Sequence, residues 1–186
     1  MKASLRQPFL LNNKKTMQKL SSLAGILALA LVFIGANVAT QKTNFSGTWT
    51  FKEQTSISGN LYSNGSPKQI KIDQHEKEIA IQKTSLDEKG EDFTQTDSLR
   101  FEGAPFEKIT KSKRKKKISI QWTDDGKGFT ATTSIFSAAD NSKMEFQFTD
   151  RFSMEEGKLI LIRKAENFEN GESWESRSTY EKGTGQ

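Results

Sequence analysis

The sequence predicts an all-β fold, a single antiparallel up-and-down meander of eight to ten strands that closes into a barrel behind a helical signal peptide. Three observations carry this. After residue 40 no segment holds a helical period over three turns, and apolar residues alternate instead. Short acidic or Gly-containing connections separate the alternating runs. Thirteen Phe and three Trp stand in a chain with only three Pro, a balance that favours pleated strands.

The leader comes first. Glu53 is the first acid in the chain. Lys2, Arg6, Lys14, Lys15 and Lys19 form a positive region ahead of the apolar run at residues 23–36. That run has 14 residues, short of the roughly 20 that span a bilayer but suited to the apolar core of a signal peptide. The expected division is residues 1–39 as signal peptide, cut near Ala36 and Ala39, and residues 40–186 as the barrel. Met17 is an alternative start. An uncleaved anchor is the second reading, because the 22 residues 20–41 carry no charge.

Processing changes the electrostatics. Removing five of the 28 bases and none of the acids leaves 23 of each sign in the remaining 147 residues. The mature protein is then formally neutral, and its charge gives no reason to expect a nucleic-acid partner. The absence of cysteine excludes both disulfides and a cysteine-linked lipid. A domain of this size buries about 70 % of its unfolded surface without such staples. The expected location is the bacterial periplasm or the medium, with no stable membrane span after processing.

Within the barrel domain, Trp49 and Phe51 share the first inward face, in the segment Phe45-Ser46-Gly47-Thr48-Trp49. Ile70 with Ile72, Ile79 with Ile81, and Leu99 with Phe101 follow. Next come Ile118, Ile120 and Trp122, then Phe129, Ala131, Thr133 and Ile135, then Met144, Phe146 and Phe148. Leu159, Ile160, Leu161 and Ile162 are apolar on both faces, which predicts a strand covered on both sides. Trp174 and Tyr180 close the series. Asp124-Asp125-Gly126-Lys127 and Glu155-Glu156-Gly157-Lys158 read as tight hairpins, with Gly126 and Gly157 at positive φ. Residues 87–90 and Gly103-Ala104-Pro105 read as further turns, and residues 55–67 as the one long loop. A meander this long exposes two edges unless it closes, and closure favours the barrel.

These motifs resemble the lipocalin-like exported proteins of bacteria. The resemblance rests on Phe45-Ser46-Gly47-Thr48-Trp49, Ile70-Lys71-Ile72-Asp73-Gln74, Ile79-Ala80-Ile81, Trp122 with Asp125-Gly126-Lys127, Gly157-Lys158-Leu159 and Tyr180-Glu181-Lys182. The Gly-Thr-Trp start and Tyr-Glu-Lys end are also similar to those of the fatty-acid-binding proteins. The resemblance implies a lipocalin-like barrel with a small apolar or amphipathic ligand. From the residues themselves, Gly47 and Trp49 read as structural, Trp49 as a plug at the closed end. Fatty-acid-binding proteins hold a carboxylate with an Arg-x-Tyr pair on the last strand. Here Arg177 and Tyr180 are three apart, which puts them on opposite faces of a strand.

Catalysis finds little footing. His75 is the only histidine, it lies in the polar segment Asp73-Gln74-His75-Glu76-Lys77-Glu78, and it reads as a solvated turn residue. No nucleophile elbow, phosphate loop or dinucleotide fingerprint occurs, and neither a metal nor a cofactor is expected. A carboxylate-dependent hydrolase is the weak alternative to a non-enzyme.

Two candidate sites remain. Trp174, Ser176, Ser178 and Tyr180 share one face of the last strand, and with Phe146 and Phe148 they form the candidate pocket lining, although Phe146, Phe148, Trp174 and Tyr180 read equally well as packed core. Lys111, Lys113, Arg114, Lys115, Lys116 and Lys117 put six positive charges into seven residues. That run reads either as a solvated turn, with the inward strand starting only near Lys117, or as a patch for an anionic envelope surface. The pocket makes a ligand-binding barrel the leading expectation, and the basic turn makes an envelope interaction module the alternative.

N-terminal sequencing of exported protein should find the mature start between Asn37 and Thr43. Recovery of residues 23–36 in the membrane fraction would favour the anchor instead.

Overall fold

The computed structural model describes residues 41–61, 65–87 and 89–183. The expected leader, residues 1–39 with Ala36 and Ala39, lies outside them. Ten strands follow one another: β1 (Gly47–Ser58), β2 (Gln69–Gln74), β3 (Glu78–Leu86), β4 (Asp92–Arg100), β5 (Phe106–Ile109), β6 (Lys115–Trp122), β7 (Gly128–Phe136), β8 (Met144–Glu155), β9 (Lys158–Asn167) and β10 (Ser173–Lys182). Among the described residues no helix is long and apolar enough to cross a membrane.

All ten strands belong to one antiparallel sheet in the order β4-β3-β2-β1-β10-β9-β8-β7-β6-β5. Successive strands are neighbours, as an up-and-down meander requires, and β1 pairs with β10 to join the chain's two ends. The break in the ladder therefore falls in mid-chain, between β4 and β5. The barrel is nearly closed, with one seam.

Two elements differ from expectation. Strand β5, Phe106-Glu107-Lys108-Ile109, has its two apolar residues three apart, so it shows no alternation for a sequence reading to find. Strand β1 runs on to Ser58, so residues 55–58 are strand and the loop starts at Gly59. Two register shifts against β10, between Phe51 and Glu53 and between Ser56 and Ser58, let this long strand bend.

The apolar core fills one half of the barrel, the end where β1 begins and β10 finishes. Trp49, Ile70, Ile72, Ile79, Ile81, Leu99, Ile118, Ile120, Phe129, Phe152, Leu159, Leu161 and Tyr180 are buried there. Phe45, just before β1, is fully buried and packs edge-on to Phe129 at 4.9 Å. Its carbonyl accepts a hydrogen bond from Trp49 Nε1 at 2.9 Å. The Gln74 side chain accepts from Phe45 N–H and donates to the Thr43 carbonyl, while Thr43 N–H donates to the Gly126 carbonyl. Residues 43–45 are thus strapped across this end, and Trp49 sits in the plug they complete. In β9, Leu159, Ile160 and Leu161 are buried in succession, so the strand is covered on both faces there, whereas Ile162 is half-buried and Lys164 exposed.

Hairpin chemistry sets the register. Glu156 and Gly157 have φ of 50° and 78° between the paired Glu155 and Lys158, a two-residue turn of the type that matches strand twist. Gly126, at φ 64°, donates its N–H to the Thr123 carbonyl at 2.9 Å.

Gly126→Val and Gly157→Val should each cost on the order of 1–3 kcal/mol, because a β-branched residue is strained at positive φ. Urea midpoints should fall for both, and Gly157→Asn should lose less because Asn tolerates that region. Unchanged midpoints in the Val variants would contradict the turn assignment.

Candidate functional site

The inward parity that buries Ile81, Leu99, Ile118, Phe152 and Leu161 continues along the same strands into the other half of the barrel. There it lands on Lys83 in β3, Asp97 in β4, Lys116 in β6, Asp150 in β8 and Arg163 in β9. The open half of the barrel is lined with charge.

Those charges form two clusters, each with one carboxylate and two cations. Asp150, 3 % exposed, accepts from Arg163 Nε at 2.7 Å and Nη2 at 2.8 Å, and from Lys83 Nζ at 2.5 Å. Burial pushes its carboxyl up, but the two cations overcome this and hold it far below the usual carboxylate range. Arg163 Nη1 donates to the Gly65 carbonyl at 2.7 Å, tying the β1–β2 connection into the mouth. In the second cluster Asp97 accepts from Lys108 of β5 at 2.6 Å and from Lys116 of β6 at 3.1 Å. Burial again opposes ionisation, and the two lysines keep the pKa below its ordinary value. This cluster spans the seam, where no main-chain ladder joins β4 to β5. Lys116 itself is pushed down by burial, and Lys108 and Lys83 add to that while Asp97 works against it.

Space adjoins both clusters. A cavity of about 300 Å³ is lined by Lys83, Asp97, Lys116, Asp150 and Arg163 with the neutral groups Ser85, Gln95, Thr110 and Thr133. A second, of about 420 Å³, lies toward the mouth against Phe146, Phe148, Ala165 and Trp174. The two share Phe148 and Arg163 as common walls. Ile57, Leu61, Leu86, Phe93, Ile109 and Phe168, all in strand ends or loops at this mouth, are about half exposed.

The expected pocket lining divides. Phe146, Phe148 and Trp174 face the outer cavity. Ser176, Ser178 and Tyr180 share Trp174's face but line neither cavity, which corrects the expectation. The physical reason is the β1–β2 connection. Ser66 Oγ hydrogen-bonds Ser178 Oγ at 2.5 Å, Gln54 Nε2 donates to Ser176 Oγ at 3.1 Å, and the buried Gly65 and Pro67 cover this stretch. Tyr180 packs edge-on to Phe51 at 5.8 Å in the core, where burial raises its phenol pKa. Arg177 points outward and pairs with Glu155 at 2.6 Å.

The basic run is corrected too. Strand β6 begins at Lys115, before the expected Lys117, and Lys116 is buried inside the barrel on Asp97. Arg114 pairs with Glu145 at 3.3 Å and lies over the Phe146 ring, Lys115 lies over Phe136, and Lys117 pairs with Glu107 at 2.8 Å. Lys111 and Lys113 are the exposed members, in the β5–β6 turn. His75 is exposed in the β2–β3 turn, where its N–H donates to the Glu78 carbonyl. Among the described residues no group of three or more His, Asp or Glu could hold a metal.

No protein-family model matches the sequence, and no curated protein matches it. Among solved structures, a point mutant of the fluorescent protein UnaG aligns at 15 % identity over 76 % of this chain and 97 % of its own, with a TM-score of 0.47. Zebrafish ileal bile-acid-binding protein complexed with cholic acid aligns at 14 % over 75 % and 98 %, with a TM-score of 0.41. The fatty-acid-binding protein of Manduca sexta aligns at 15 % over 74 % and 99 %, with a TM-score of 0.42. At such identity the likeness concerns the path of the chain and not its side chains.

Asp150→Asn should destabilise the protein by about 3–5 kcal/mol, because Arg163 and Lys83 lose their buried counter-charge. The sign with pH follows from the depressed pKa of Asp150 and Asp97. Their contribution is complete above the unfolded carboxylate value near 4 and is lost as pH falls below it. Urea melts of the wild type should therefore steepen in pH dependence below about pH 4, with a smaller slope in Asp150→Asn.

Proposed function

We propose that this chain is a non-enzymatic binder of a small amphipathic ligand, exported with its leader removed. The apolar body would lie against Phe146, Phe148 and Trp174, and the polar end would enter the charged chamber. The observation that carries this reading is the adjacency of two cavities that share Phe148 and Arg163, the outer walled by Phe146 and Trp174 and the inner setting Lys83, Asp97, Lys116 and Asp150 among Pro67, Phe93 and Ile135. Each falls in the volume range of small-ligand sites, and a side-chain-filled barrel would hold neither. The apolar rim gives such a ligand a path between solvent and cavity. Export is supported by the charged region and apolar run at the start of the sequence.

The hydrolase alternative finds no general acid in the chamber's own two carboxylates. A glycosidase-like pair needs one carboxyl protonated near neutral pH, whereas Asp97 and Asp150 are both held ionised by paired cations. The envelope-surface alternative keeps Lys111 and Lys113 in the turn, the other members of the basic run being engaged with the protein itself.

Trp174 reports on the outer cavity. Titration with fatty acids and sterols should give a saturable fluorescence change in the wild type that disappears in Trp174→Phe. Native mass spectrometry of protein from its own host should show a retained small molecule. No saturable change with any apolar ligand and no retained molecule would overturn the proposal.

A further inference from the structure

We propose that Lys83 and Lys116 form a seat for a doubly charged anionic headgroup of the phosphate-monoester class. This rests on the ligand-binding reading above and specifies the ligand's polar end. The first argument is charge. Lys83, Lys108, Lys116 and Arg163 meet only Asp97 and Asp150, so four bases share two acids and two positive charges remain. Of the other acids nearby, Glu145 is engaged by Arg114 and Glu166 by Lys164, and Glu172 stands on the outer cavity with an interaction of its own. Lys116 and Arg163 are largely withdrawn from water, with side chains 10 % and 16 % exposed, while Lys83 and Lys108 keep 24 % and 32 %, so the surplus is only partly screened and favours an anion in the chamber.

The second argument is donor accounting. Arg163 spends Nε and Nη2 on Asp150 and Nη1 on the Gly65 carbonyl, so its fork is occupied. Lys83 and Lys116 carry three N–H each, and each donates once, to Asp150 and to Asp97. Both line the same cavity, beside the hydroxyls of Ser85, Thr110 and Thr133. They are near enough that Lys83 disfavours the charge on Lys116. An anion between the two ammonium groups relieves that repulsion and takes up the unspent donors.

Headgroup chemistry follows from both counts. A carboxylate brings one charge and two oxygens, and it would leave one positive charge uncompensated. A phosphate monoester brings nearly two charges and three acceptor oxygens. Asp150 and Asp97 are positioning residues here. They hold the two lysines toward the cavity and touch no ligand.

The test is calorimetry at about pH 8, where an alkyl phosphate is a dianion, with dodecyl phosphate, dodecanoate and dodecanol as probes. Dodecyl phosphate should bind at least about 10-fold more tightly than dodecanoate. Lys83→Gln and Lys116→Gln should each weaken dodecyl phosphate by about 10-fold or more and leave dodecanol within about twofold. Both variants keep one base on each carboxylate, Arg163 on Asp150 and Lys108 on Asp97. In the wild type alone, phosphorus NMR should show the second ionisation of bound dodecyl phosphate shifted below its free value. Equal binding of dodecyl phosphate and dodecanoate, unchanged binding in both variants, or an unshifted ionisation would overturn the seat and leave the pocket standing. Failure of all three probes to bind would overturn the pocket as well. Inorganic phosphate should displace dodecyl phosphate only weakly. Equal affinity for the two would keep the seat and remove the apolar tail.

Discussion

A carboxylate shared between two cations, used twice, is the interaction on which the open half of this barrel depends. Asp150 holds Arg163 of the adjacent strand β9 and Lys83 of the distant strand β3, a bond made across the interior, and Arg163 in turn ties Gly65 into the mouth. Asp97 holds Lys108 and Lys116 across the seam. Charge does at the seam what main-chain hydrogen bonds do everywhere else around the barrel. The side chains that close it are also the ones that line the chamber, so closure and site cannot be separated.

The closed half makes this arrangement affordable. Phe45, Trp49, Phe129 and Phe152 pack into one aromatic plug, and the strap at residues 43–45 ties the chain before β1 to the β6–β7 turn and to β2. Apolar burial is concentrated there, and it is the dominant favourable term in a domain of this size. A barrel packed with aliphatic side chains from end to end would gain more burial and hold nothing. The division into an apolar plug and a chamber lined with paired charges is what leaves a cavity beside the core.

Surface charge plays the smaller part. A run of six bases looks like an external patch when read along the chain, yet most of its members are spent on internal partners. Lys116 is buried on Asp97, Arg114 is engaged by Glu145, and Lys117 is taken by its cross-strand neighbour Glu107. The run is better described as the start of β6, which carries positive charge into the barrel.

Alternation and turn chemistry are local, and the sequence by itself determined what they encode. Nine of the ten strands, the hairpins at Gly126 and Gly157, the aromatic plug around Trp49 and the shared face of Trp174 and Tyr180 are all legible in short stretches of chain. Strand β5 was not, because four residues without alternation carry no periodic signal. The chamber was not either. Lys83, Asp97, Asp150 and Arg163 stand at the inward parity of their strands, but a charged residue at such a position reads as solvent-facing until a partner is found for it. Those partners lie on β3, β8 and β9, or on β4, β5 and β6, and only the closed barrel brings them within 3.1 Å of one another. Ser176 and Ser178 show the converse, since their parity is local but their covering by Ser66 and Gln54 is not. Tertiary structure decided the site because a buried charge is stable only beside its counter-charge, and sequence order does not record that pairing.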